Sequence, residues 1–116
     1  MILVTGFEPF VSEEGIALDA NPTAAIAERV ASKTANVTAD VLPVAYAQTP
    51  TAFDKALCES APRIWVGLGY APHRMTIDIE TIAVNIEHST RPDNQGVQPT
   101  MKPILADAPL AYQTAI

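Results

Sequence analysis

Three side chains in this sequence have the types and neighbours from which a small site could be made: Phe7, Phe10 and Glu80. The two phenylalanines lie in Gly6-Phe7-Glu8-Pro9-Phe10, where a glycine and a proline keep the chain out of regular structure. Rings held in such a loop either tuck beneath it as core or form the aromatic walls of a small apolar pocket. Glu80 lies in Ile77-Asp78-Ile79-Glu80-Thr81-Ile82-Ala83-Val84-Asn85-Ile86. Read as one strand, this run sends Glu80 the same way as Asp78, Ile82, Val84 and Ile86. A carboxylate heading a face that turns apolar is costly unless something donates to it. It then has its pKa raised by desolvation or holds a cationic partner, and both equip a carboxylate for catalysis. The plainer alternative is a Glu80 at the solvated rim of the sheet, beside Asp78.

The elements that must position these groups follow from the order of breaks and periods. Met1-Ile2-Leu3-Val4-Thr5 is unbroken by polar alternation, which suits a central strand covered on both faces. Val11 to Ala20 has no period and reads as a loop. Asn21 caps a helix opened by Pro22, with Ile26 and Val30 as its buried stripe and Glu28 and Arg29 toward water. Val37–Leu42 is a second strand closed by Pro43. A second helix uses the same grammar, with Thr49 as cap, Pro50 at its start, Phe53, Ala56 and Leu57 on one face and Pro62 at its end. Arg63–Gly69 is a third apolar strand. This β-α-β-α-β order predicts parallel strands with right-handed connections. If the second helix returns to the opposite face, strand three lies beside strand one and the order reverses between them. That is a topological switch point, and ligands bind in the crevice beyond the carboxyl ends of such strands. The loop Gly6–Phe10 would then meet the loop Gly69-Tyr70-Ala71-Pro72-His73-Arg74. Gly67-Leu68-Gly69 is no dinucleotide fingerprint, because Pro72 follows and the third glycine and capped helix are missing.

Composition narrows the partners. A chain of 116 residues suits one domain, residues 1–116, that buries roughly two-thirds of its unfolded surface. A net charge of −6 without a Lys/Arg run leaves no footprint for nucleic acid or anionic lipid. No apolar stretch approaches the roughly 18 residues of a spanning helix, and the start lacks the features of a signal peptide. The single cysteine forms no internal disulfide, so a soluble cytoplasmic protein is expected. Cys58, late in the second helix with no histidine near it in sequence, reads as a small, partly buried residue. No metal site is expected, because Asp78, Glu80, His88 and Asp93 share no close ligand spacing.

The C-terminal third is less periodic. Glu87 to Met101 reads as turns, with Asp93-Asn94 as turn formers only. Asp107 looks like an N-cap, with Pro109 opening a helix through Leu110-Ala111-Tyr112-Gln113-Thr114-Ala115-Ile116. That helix has a start signal and no stop, so the chain reads as cut in mid-element.

Five blocks in order give the sequence a family resemblance. Thr5-Gly6-Phe7-Glu8-Pro9-Phe10, Asn21-Pro22, Gly69-x-Ala71-x-x-Arg74, Glu80-x-x-Ala83-x-Asn85-Ile86 and Pro92-Asp93-Asn94-x-Gly96-x-Gln98-Pro99 resemble pyroglutamyl-peptidase I. The resemblance implies a three-layer α/β/α fold with an open, mainly parallel twisted sheet, phosphorylase/hydrolase-like and incomplete at its C-terminus here. It implies a cytoplasmic cysteine peptidase that removes N-terminal 5-oxoproline from peptides with no cofactor or metal. Phe7 and Phe10 would flank the pyrrolidone ring and the backbone of Tyr70 and Ala71 would bond its lactam. Glu80 would be the catalytic carboxylate that orients a histidine.

The family's nucleophilic Cys and its His come from a later segment. Cys58, His73 and His88 do not align with them, so the chain alone is expected to be inactive; losing a nucleophile and its base from a triad costs on the order of 10⁶ in rate. Two departures stand out. The family usually has two glycines after the second phenylalanine, where this chain has Val11-Ser12 and a longer loop. It has Arg-Ile before Pro-Asp-Asn, where this chain has Thr90-Arg91, so the arginine is shifted by one place. Three readings follow: the N-terminal part of a larger peptidase domain, a non-catalytic module that binds 5-oxoproline peptides, or a structural fragment that oligomerises through an exposed sheet edge.

Overall fold

The computed structural model describes residues 1–115. Strand β1 (Ile2–Phe7) leads through a loop to helix α1 (Pro22–Lys33), then β2 (Val37–Leu42), α2 (Thr49–Ser60) and β3 (Ile64–Gly67). Four short strands follow: β4 (Ile82–Val84), β5 (Ile86–Glu87), β6 (Lys102–Pro103) and β7 (Ala111–Gln113). The first three strands form one parallel sheet in the order β2-β1-β3, with Thr5 opposite both Asp40 and Gly67. The expected reversal of strand order is therefore present. β4 pairs with β7, and β5 with β6, in two antiparallel ribbons.

The apolar run at the N-terminus is central because it is covered on both sides. Leu3, Val4 and Thr5 are all buried. The Thr5 hydroxyl accepts a hydrogen bond from the Trp65 indole N–H at 2.9 Å, and the Trp65 ring lies 4.7 Å from that of Phe53 on α2. Gly6, one residue on and facing the other way, is pressed against α1: a Cβ there would lie 2.5 Å from the Thr23 carbonyl. The two helices thus occupy opposite faces of the sheet, and the α/β layering is as expected.

Close approach also explains a correction. The buried side of α1 is Thr23 and Ala27, whereas Ile26 is 50% exposed and Val30 39%. A helix seated on the backbone of Gly6 tolerates only small residues at the contact, so the bulky pair expected to form its stripe rolls aside. In α2 the expected Ala56 is buried, but Thr49 is the first helical residue and Gln48 precedes it as a cap without a side-chain bond. The Thr49 hydroxyl instead donates back to the carbonyls of Pro43 and Ala45. Cys58 is exposed, not partly buried, because it falls on the solvent side of α2.

Two further expectations fail beyond β3. The run from Ile77 to Ile86 is not one strand: residues 77–81 have no regular pairing, and only β4 and β5 survive. Among the described residues nothing covers the first part of the run, where Ile77 and Ile79 are 100% and 68% exposed. Nor, among the described residues, is there a helix after Asp107. Ala111–Gln113 is β7, paired with Val84–Ile82, because a two-turn helix is marginal while an adjacent strand satisfies its backbone groups. Ile116, where that helix was expected to halt, lies outside the described residues.

Candidate functional site

The site is built at the carboxyl end of β1. The Phe7 N–H donates to the Thr23 hydroxyl at 2.9 Å, locking the start of the loop to α1. Asn21 is the cap expected from sequence, and it does more. Its Oδ1 accepts from the Thr23 N–H (3.1 Å) and hydroxyl (2.7 Å), while its Nδ2 donates to the Glu8 carbonyl at 3.1 Å. At 4% exposure, Asn21 is a buried splice between helix start and loop.

Glu8 carries the other half of the splice. Its Oε1 accepts from the Val44 N–H at 3.1 Å and from Asn94 Nδ2 at 3.2 Å. The same Nδ2 donates to the Pro9 carbonyl at 2.9 Å, and the Asn94 N–H donates to the Val44 carbonyl at 3.0 Å. Beside it the Asp93 carboxylate accepts from three backbone amides: Tyr46 at 2.7 Å, Gln95 at 2.8 Å and Val97 at 2.9 Å. Burial pushes the Asp93 carboxyl up, but the amides of Val97, Tyr46 and Gln95 outweigh it and hold it below its ordinary 3.8. Asp93 and Asn94, read from sequence as turn formers only, therefore clamp three segments around the loop that carries both phenylalanines. The Pro-Asp-Asn block was the signal that could have found them.

Phe7 and Phe10 are both half-buried within this clamp. The second loop leaves the same end of the sheet, since the Leu68 N–H continues the ladder to the Thr5 carbonyl at 2.8 Å. Tyr70 is 39% exposed, Ala71 is half-buried, and the Ala71 carbonyl accepts from the Arg74 N–H to close a turn. The loops after β1 and β3 thus leave the same end of the sheet side by side.

Glu80 is placed differently from the strand-face expectation. Its side chain is 75% exposed and lies 3.2 Å from Arg74 Nη1, which also reaches Asp78 at 3.3 Å. It has the cationic partner considered from sequence, but at a solvated rim beside Asp78. Its backbone is tethered by a residue expected to be helical: the Thr114 hydroxyl donates to the Glu80 carbonyl at 3.0 Å. Asn85 secures the neighbouring turn by donating to the Leu105 carbonyl and accepting from the Leu105 N–H. Among the described residues no group of three His, Cys, Asp or Glu side chains is gathered in a way that could hold a metal ion. His73 and His88 are exposed, and His88 Nδ1 accepts from the Met101 N–H.

Fold and candidate site together define an open α/β protein with an aromatic loop at a switch point and an acidic residue on a later segment. The chain belongs to the pyroglutamyl peptidase family, whose model matches residues 1–116. It is 40% identical to the pyrrolidone-carboxylate peptidase of Thermococcus litoralis over 99% of this chain and 51% of that protein, and 40% identical to that of Pyrococcus furiosus over 96% and 52%. The crystal structure of Bacillus amyloliquefaciens pyroglutamyl peptidase I superposes with a TM-score of 0.86 at 28% identity, covering 97% of this chain and 54% of that one. A mutant pyrrolidone carboxyl peptidase from P. furiosus gives 0.84 at 39% identity. The chain spans about half the length of the relatives it matches. No described helix is long and apolar enough to cross a membrane.

Proposed function

We propose that residues 1–116 are the ring-binding and acid-bearing part of a larger domain that removes N-terminal 5-oxoproline from peptides. In this reading Phe7 and Phe10 flank the lactam ring, the backbone of Tyr70 and Ala71 bonds its amide, and Glu80 orients a histidine that takes the proton of a cysteine thiol. Nucleophile and base come from further sequence, as Cys58 is exposed on α2, away from the loop end of the sheet. The protein acts in the cytoplasm, where thiols stay reduced.

The observation that carries this is the clamp. Asn21 and Asn94 donate to the Glu8 and Pro9 carbonyls, and the Val44 N–H and Asn94 to the Glu8 carboxylate, so four hydrogen bonds from other segments hold the Phe7–Phe10 loop, at the position where an open α/β sheet binds its ligand. Preorganisation of that kind suits a flat neutral ring, which offers few polar contacts of its own. Exposure of Ile64, Trp65 and Val66 on the outer strand, at 56%, 51% and 43%, agrees with a sheet that continues.

The test is calorimetric titration of the 116-residue chain with pyroglutamyl-alanine, with prolyl-alanine as control. Selective binding that falls about tenfold or more in Phe10→Ala is expected, since a buried aromatic contact is worth over 1.4 kcal/mol. No amine should be released from a chromogenic pyroglutamyl amide. Turnover by this chain, or equal affinity for both dipeptides, overturns the reading. A second reading, a binding module without catalysis, draws on Glu80 being turned to solvent and paired with Arg74. It predicts the same binding but no gain of turnover when Glu80 is supplied with the rest of a family member.

A further inference from the structure

The two places where this sequence departs from the family pattern touch each other. The longer loop after Phe10 is a small closed hairpin: Val11 bridges Ala17, the Leu18 N–H donates to the Phe10 carbonyl at 3.0 Å, and the Ser12 N–H donates to the Ile16 carbonyl at 2.9 Å. Ser12 is buried at its centre, and its hydroxyl accepts from the Ile16 N–H. The displaced arginine seizes the tip. Arg91 Nε donates to the Glu13 carbonyl at 2.6 Å, and a Cβ on Gly15, whose φ is +82°, would lie 2.7 Å from Arg91 Nη2. The arginine is itself braced, because the Ser89 hydroxyl donates to its carbonyl at 2.6 Å. Glu14, on the same tip, has its carboxyl held below its usual value by its own backbone amide and the Ser12 hydroxyl, with His73 and Arg91 adding attraction.

We propose that Arg91 is a positioning residue that straps the hairpin of residues 11–17 across the mouth, and so sets how firmly Phe10 is held against a bound ring. Phe10 is the hairpin's base, so a hairpin pinned at its tip loses the swing that would carry Phe10 with it. Arg91 also lines, with Val11, Pro92, Asp93 and Asn94, a groove of about 440 Å³. Strap and Asn94 clamp therefore share one wall. A guanidinium suits this work because its fork delivers one N–H to a carbonyl while its plane packs on a glycine that offers no side chain.

The proposal rests on the reading of Phe7 and Phe10 as the ring pocket, and the experiment separates the two. Arg91→Ala and Arg91→Lys are made in the full chain and again in a version whose residues 11–17 are replaced by two glycines. Affinity for pyroglutamyl-alanine and amide exchange at Ser12, Gly15 and Leu18 are measured in each. In the parent loop, either substitution should weaken the ligand about two- to tenfold, the span of one ordinary net hydrogen bond, and speed exchange at the hairpin amides. In the short-loop chain the same substitutions should change affinity by less than about twofold. An equal loss in both backgrounds, or unchanged exchange in the parent loop, overturns the strap. If the parent chain binds no pyroglutamyl-alanine, the functional reading falls, while faster exchange in Arg91→Ala still upholds the strap.

Discussion

Leu3 and Ile77 are both aliphatic residues in apolar runs, yet Leu3 is 1% exposed and Ile77 fully so. The first lies in a strand with partners on both sides and a helix on each face. The second precedes a ribbon only three residues long. The contrast extends to their surroundings: β1 holds four consecutive buried residues, while every residue of β3, β4 and β7 is exposed. Periodicity records what a run is able to bury, and only a neighbouring layer decides whether it does. The aromatic loop grows from the closed region and Glu80 from the open one, so the two halves of the candidate site stand on unequal foundations.

That contrast can be broken most directly by cutting side chains on each side of it. Leu3→Ala should cost about 3–5 kcal/mol of unfolding free energy, by loss of buried methyl groups and the cavity left behind. Ile77→Ala should change it by less than about 0.5 kcal/mol. Urea denaturation reads both, and similar values would erase the distinction.

The clamp at Asp93 should come next. Asp93→Asn presents an amide where three N–H groups require an acceptor, and a loss of about 1–3 kcal/mol is expected at neutral pH. Because the folded carboxyl titrates below its ordinary 3.8, its stabilisation is full above about pH 4 and is lost as pH falls through the folded value. The gap between parent and variant in thermal unfolding should therefore be widest at neutral pH and close in acid. A gap that widens in acid would refute the assignment. The smallest effect belongs to the open region: Arg74→Ala removes two exposed ion pairs and should cost under about 1 kcal/mol, less still in high salt. A larger cost, read by melting at two salt concentrations, would show Glu80 to be more firmly anchored than its exposure suggests.

How far the sequence could be read follows the same divide. Asn21-Pro22 at a helix start, the unbroken run at the N-terminus and the order of the parallel strands are local signals, and each is where it was expected. The clamp was not legible, because the hydrogen bond from Asn94 to Glu8 spans 86 positions and no pattern within a window reports it. Residues 111–113 were misread for a related reason. Their start signal was that of a helix, while the partner that makes them a strand lies 27 to 31 positions earlier. Phe7 and Phe10 were singled out because glycine and proline marked the loop. Glu80 was singled out by alternation along a strand that does not form, and by the family resemblance.

The contact of Gly6 with α1 has a consequence for how the proposed cleft can vary. A strand and a helix that meet backbone to backbone leave no slack, so the floor beneath Phe7 cannot be raised or lowered by exchanging side chains. Only the walls, set by loops pinned from other segments, remain adjustable. Divergence in what the cleft admits is then confined to its width and leaves its depth fixed.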